Sequence, residues 1–153
     1  MKVSEIMTRA VVVDAADDTL ADAAAKMREQ QTGSLLIMDG EKLLGIFTER
    51  DLLKAVAKGR DPKSTLLQDE MTTELVTISP NAKLREAASV MASKWIRHLP
   101  VVDGTMVLGV ISQRDLTGLL DKLLDEPEHI DRLSEKELVR TRRIRRIEAG
   151  DLD

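Results

Sequence analysis

Apolar positions along the first sixty residues follow two different periods. Residues 11–13 (VVV) form a continuous apolar run suited to a short buried strand, whereas Leu20, Ala23, Ala24 and Met27 recur on one helical face behind Asp17 and Asp18. Two further apolar runs, 34–38 (SLLIM) and 43–47 (LLGIF), flank Asp39-Gly40, a dipeptide that predicts a tight hairpin. Helical spacing returns over residues 49–58 and stops at Gly59. The order predicted for this stretch is β-α-β-β-α.

The same pattern then starts again. Residues 75–79 (LVTIS) read as a strand, about 83–93 as a helix, 98–102 (HLPVV) and 106–111 (MVLGVI) as strands around Asp103-Gly104, and a last helix begins at Gln113. Shifting the chain by 64 residues superposes Met7-Thr8 on Met71-Thr72, Ala23-Ala24 on Ala87-Ala88, Met27 on Met91, and Arg50-Asp51-Leu52 on Arg114-Asp115-Leu116 without a gap. The chain therefore divides into repeat one (1–60), repeat two (61–122) and a tail (123–153), with a short turn-rich linker, KGRDPKST, between the repeats. A unit of roughly 55 residues buries the faces of so small a sheet poorly, so the two repeats are expected to pack on each other. The fold class predicted is α/β (α+β).

Composition narrows the function classes. With 42% hydrophobic and 33% charged residues the chain has the balance of a globular protein with a sizeable core. No apolar run approaches the ~20 residues of a membrane span, and MKVSEIMTRA has no signal-peptide core, so no membrane partner and a cytoplasmic location are expected. The absence of cysteine removes disulfides, thiolate catalysis and thiolate metal sites. The formal charge of −4 is shared evenly between residues 1–120 and 121–153, and neither part has the basic balance of a nucleic-acid binder. H-E-x-x-H, G-x-S-x-G, G-x-G-x-x-G and the phosphate-loop motif are all missing, and the two histidines, His98 and His129, are far apart in sequence. The seven methionines fit core gap-filling.

One phrase is written twice, GIFTERD at 45–51 and GVISQRD at 109–115. Thr48 and Ser112 stand where a strand hands over to a helix, and Asp51 and Asp115 fall three residues later, the spacing of a capping box. The same helix end can receive a phosphate or sugar hydroxyl, and a carboxylate can accept both hydroxyls of a ribose diol. Spacing alone leaves both readings open. As catalytic carboxylates the two aspartates fit poorly, since a duplicated carboxylate with no nucleophile beside it suits binding twice better than reacting once.

Taken together, Met7-Thr8 before the first strand, the Asp-Gly hairpin, Gly-hydrophobic-x-[Ser/Thr]-x-Arg-Asp, RHLPVVDG at 97–104 and the tandem period resemble a CBS-domain pair, or Bateman module, over residues 1–122. The resemblance implies two β-α-β-β-α units joined through their sheets about a pseudo-twofold axis, with clefts for adenosine-containing ligands. It implies a regulatory role without catalysis and without a required cofactor, a homodimer, and a regulated partner on another chain. AMP, ADP, ATP, S-adenosylmethionine and NAD are the candidate ligands.

By the same resemblance Asp51 and Asp115 would hold ribose hydroxyls, and Thr48 and Ser112 would bond ribose or phosphate. Thr8, Val11 and Val12 in one place, and Thr72, Leu75 and Val76 in the other, would line the adenine pockets. Arg97 and His98, just before Pro100, would reach phosphates, although His98 also fits a histidine packed at a strand end. Arg114 is carried with this set; it and Arg50 equally fit solvated charges or ion-pair partners. The repeats differ here, because Gly33, Ser34 and Leu36 stand where repeat two has Arg97, His98 and Pro100. With Phe47 and Trp95 the only aromatics, an adenine ring is expected to lie between aliphatic side chains, and stacking platforms for single-stranded nucleic acid are absent.

The tail has its own signals. Pro127 breaks it, Ser134-x-x-Glu137 is a capping box for a helix to about Ala149, and five arginines lie between 140 and 146. Pairing of these arginines with neighbouring carboxylates is the expectation, with Leu133, Ile144 and Ile147 docking on the module or a second subunit; nucleic-acid contact is the lesser alternative.

Overall fold

The computed structural model describes residues 1–124, of which Met1–Leu116 form one compact unit and the residues from Thr117 belong to a second. The helix expected over 134–149 and the arginine cluster lie outside the described residues. Repeat one contains strand β1 (Val13–Asp14), helix α1 (Leu20–Glu29), strands β2 (Ser34–Asp39) and β3 (Lys42–Thr48) and helix α2 (Glu49–Ala57). Repeat two contains a short helix α3 (Leu67–Glu70), helix α4 (Leu84–Lys94), strands β4 (His98–Asp103) and β5 (Met106–Ser112) and helix α5 (Gln113–Leu124), which runs into the second unit. The fold is mixed α+β, as expected.

Local chemistry accounts for most of these boundaries. Thr19 caps α1 by accepting the Asp22 N–H at 3.1 Å, and Leu20, Ala23 and Met27 are its buried face. Both hairpins turn on a glycine with positive φ, 56° at Gly40 and 60° at Gly104. Both also carry a register shift at the same place, between Ile37 and Met38 and between Val101 and Val102.

Two elements escaped the sequence pattern, a 3-10 turn at Val3–Glu5 and its repeat-two equivalent, α3. Each opens one repeat but serves the other. Val3 and Met7 are buried with Ala87, Met91, Leu99 and Ile111, whereas Leu67 is buried with Ala23, Met27, Leu35 and Phe47. Backbone bonds repeat the exchange: Val3 N–H donates to Ala82 O and Leu67 N–H to Asp18 O, both at 2.9 Å. The following residues then bridge the opposite hairpin, Thr8 to Val110 on β5 and Thr72 to Ile46 on β3. Gly45 and Gly109 make that approach possible. A β-carbon at Gly109 would lie 2.5 Å from the Thr8 carbonyl oxygen, and one at Gly45 2.9 Å from that of Thr72.

The strand expected over 75–79 is a correction. Only Ile78 pairs, in a parallel bridge to Val101, with Ile78 N–H donating to Pro100 O and Val102 N–H to Ile78 O. Proline is the reason. In repeat one Leu36 N–H donates to Val12 O at 3.0 Å and β1 pairs with β2 over two residues. At the equivalent place Pro100 has no N–H to offer Val76, so the ladder stops. The carbonyl of Val76 is left without a hydrogen-bond partner among the described residues.

The repeats also differ in one buried pair. Asp14 is buried on β1 and its Oδ1 accepts from Lys26 Nζ, which also donates to Val13 O at 3.1 Å. Its other carboxylate oxygen has no partner among the described residues. Burial raises the Asp14 pKa and the Asp18 carboxylate adds to that, while Lys26 opposes it. A carboxyl whose folded pKa is raised gives stability that is complete below its unfolded value near 3.8 and is lost as pH climbs through the folded value. Repeat two has Ile78 and Val90 at these positions, packed in its core. Copying that solution, Asp14→Ile with Lys26→Val, is expected to stabilise the protein at pH 7 by about 1 kcal/mol. Urea unfolding at pH 7 and at acid pH is the check: the gain should shrink toward acid, and a loss at pH 7 would contradict this account.

Candidate functional site

Both copies of the repeated phrase form complete capping boxes. Thr48 ends β3 in extended backbone, its hydroxyl accepts the Asp51 N–H at 3.4 Å, and Asp51 Oδ2 accepts the Thr48 N–H at 2.9 Å. At the start of α5 the Ser112 hydroxyl accepts the Asp115 N–H at 3.3 Å, and Asp115 Oδ2 accepts the Ser112 N–H at 2.7 Å. Capping does not use the whole carboxylate. Asp51 Oδ1 accepts the Thr72 hydroxyl at 3.2 Å, which ties the start of α2 to the segment contributed by repeat two. Asp115 Oδ1 has no partner among the described residues.

The junction of β3 and α2 opens into a cleft of about 250 Å³. Seven of the residues singled out in the sequence meet there: Thr48, Asp51, Thr72, Val76, Arg97, His98 and Pro100. Leu75 lies beside them in the extended approach to Val76, its N–H donating to Thr73 O, but does not line the cleft. Thr8, Val11, Val12, Ser112, Arg114 and Asp115 occupy the repeat-equivalent positions around the Thr8–Val110 bridge.

Sequence reasoning missed Lys54, Glu74 and Lys94, which line the cleft together with Arg50. Arg50, Lys54, Lys94 and Arg97 outweigh Asp51 and Glu74 and give the cleft a cationic surplus, and Trp95 forms part of its wall. Trp95 takes a left-handed conformation, φ 55°, where α4 ends, as Gln31 does at φ 52° behind α1. The available signal was position: Trp95 stands two residues before Arg97, at a helix end the period already located. Arg50 donates to the Trp95 carbonyl at 2.6 Å, so it is more than a solvated charge.

Where the repeats meet, Glu49 N–H donates to Gly33 O at 3.2 Å and Gln113 N–H to Arg97 O at 2.8 Å, equivalent bonds in the two halves. Arg97 reaches back to Glu49 Oε2 at 3.3 Å, a partly exposed pair of modest strength. A β-carbon at Gly33 would sit 3.3 Å from His98 Cε1, so the glycine makes room for the imidazole. Burial lowers the His98 pKa below its ordinary 6.5 and Arg97 adds to this, against the pull of Glu49 and Asp115. Burial thus favours the neutral imidazole, which can serve a ligand as a hydrogen-bond donor or acceptor. Among the described residues no three His, Cys, Asp or Glu side chains group as metal ligands, and no helix is long and apolar enough to cross a membrane.

Tandem α+β repeats that exchange their opening segments, with a cleft at a strand-to-helix junction, define a paired binding module. The chain belongs to the CBS-domain family, whose profile matches residues 3–58 and 67–122. It is 33% identical over 119 residues to MK0525 of Methanopyrus kandleri, covering 76% of this chain and 61% of that protein. It is 35% identical over 115 residues to the CBS domain-containing protein YhcV of Bacillus subtilis, covering 74% and 81%. Among solved structures, the CBS pair of protein MJ0100, in complex with 5-methylthioadenosine and S-adenosyl-L-methionine, superposes with a TM-score of 0.74 at 25% identity, over 80% of this chain and 98% of that one.

Proposed function

We propose that this chain is a regulatory module that binds an adenosyl ligand, an adenine nucleotide in particular, in the Thr48–Asp51 cleft, and acts on a separate partner protein rather than on a substrate. The observation that carries this reading is the convergence in one cleft of a helix-start carboxylate, Asp51, a cross-repeat hydroxyl, Thr72, and Val76, whose carbonyl has no hydrogen-bond partner among the described residues. A ribose diol suits the first two, and the amino group of adenine suits the carbonyl. The adenosyl ligands of the MJ0100 pair support the same ligand class. Regulation then requires that the ligand favour one conformation or association state over another, since it shifts an equilibrium only by its difference in affinity. A homodimer is part of the proposal, and Leu53 and Val56, exposed on α2, are apolar surface available to it.

A second reading has its own observation. Both capping boxes are complete without a ligand, which suits a constitutive interaction protein whose repeated phrase only starts helices. Thermal unfolding with AMP, ADP, ATP, S-adenosylmethionine, 5-methylthioadenosine and NAD separates the two. A ligand at a hundred times its dissociation constant is expected to add about 2.7 kcal/mol. No shift with any of them would leave the constitutive reading standing.

A further inference from the structure

The residues that line the Thr48–Asp51 cleft and their equivalents 64 positions away differ in two independent respects. The first is charge. Arg50, Lys54, Lys94 and Arg97 line the Thr48–Asp51 cleft against only Asp51 and Glu74, and Lys54 and Lys94 have no ion-pair partner among the described residues. At the positions equivalent to Lys94 and Arg97 the other half has Gln30 and Gly33, and Glu74 corresponds to Ala10. The second is the backbone. Pro100 leaves the Val76 carbonyl open, whereas Leu36 closes that of Val12 with a hydrogen bond of 3.0 Å.

We infer that the module binds one nucleoside polyphosphate per chain, in the Thr48–Asp51 cleft, with Lys54 and Lys94 holding phosphates beyond the first, and that the equivalent positions at Ser112–Asp115 hold no phosphorylated ligand. This rests on the adenosyl reading above and sharpens it. Cationic side chains gathered at one cleft favour each added phosphate through charge-assisted bonds. The same charge disfavours a ligand with its own positive centre, such as the sulfonium of S-adenosylmethionine. Arg97 is already shared with Glu49, and Arg50 with the Trp95 carbonyl, so the two lysines are the cations with least to give up.

Isothermal titration of the full chain with ATP, ADP, AMP, 5-methylthioadenosine and S-adenosylmethionine, without divalent cations, tests this. Affinity is expected to rise from 5-methylthioadenosine through AMP to ADP and ATP, by about tenfold or more overall, with S-adenosylmethionine weakest and one ATP bound per chain. In Lys54→Gln with Lys94→Gln the ATP advantage over AMP should shrink to within a few-fold, while 5-methylthioadenosine binds as in the unaltered protein. Equal affinities for 5-methylthioadenosine and ATP, an undiminished ATP advantage in the double variant, or two equal ATP sites would each overturn the inference and leave the adenosyl reading intact. Failure of every ligand to bind would overturn both.

Discussion

Gly109→Ala is expected to cost about 3 kcal/mol, at the upper end for an overpacked core position. The new β-carbon would meet the Thr8 carbonyl oxygen at 2.5 Å, and that atom is backbone. It also accepts the Val110 N–H at 2.9 Å, while Thr8 N–H donates back to Val110 O at 2.9 Å, so moving it endangers both bonds. Behind Thr8 lie Met7 and Val3, buried in the core of repeat two, and displacement would reach them through the chain. Gly45→Ala should cost less, because Met71 Sδ, which the new β-carbon would meet at 2.9 Å, belongs to a flexible side chain, although the Thr72 carbonyl at the same distance does not. It should also weaken ligand binding, since Thr72 carries the hydroxyl on Asp51. Urea unfolding of both variants checks the order. Equal, near-zero losses would show that the opening segments are not clamped as described.

Asp51→Ala is expected to weaken nucleotide binding about a hundredfold, the loss of two charge-assisted hydrogen bonds to a diol, and so to erase most of the ligand's thermal stabilisation. Asp115→Ala should leave that stabilisation in place. Each variant also loses a cap, worth about 1 kcal/mol, so the informative quantity is the ligand-induced shift and not the midpoint itself. Asp51→Asn keeps an acceptor for the cap with less charge for the diol, and should retain more stability than Asp51→Ala while still binding poorly. If Asp115→Ala abolished the shift and Asp51→Ala did not, the ligand would have to be placed at the start of α5, where Asp115 Oδ1 has no partner among the described residues.

Much of the candidate site is legible in the sequence. The 64-residue echo located Thr48, Asp51, Ser112 and Asp115 at strand-to-helix junctions, and all four are in capping boxes. The contrast of Arg97-His98 with Gly33-Ser34 pointed to unequal halves. Lys54 and Lys94 were not legible, because nothing in helical spacing tells which exposed side chains of α2 and α4 face a common cleft. The strand expected at 75–79 failed for a reason outside that segment, since its apolar pattern is sound but its neighbour carries Pro100.

What the sequence alone determined is everything carried by short-range order: the β-α-β-β-α unit, its duplication, the Asp-Gly turns and the helix caps. These depend on periodicity, backbone dihedrals and hydrogen bonds only a few residues apart. Only the tertiary structure decided which repeat each opening segment completes, that Gly45 and Gly109 are there for a passing carbonyl, and that four cations share one cleft. Those facts rest on contacts between residues far apart in the chain, such as Val3 with Ala82 or Arg50 with Trp95, and local pattern does not encode which distant partners meet.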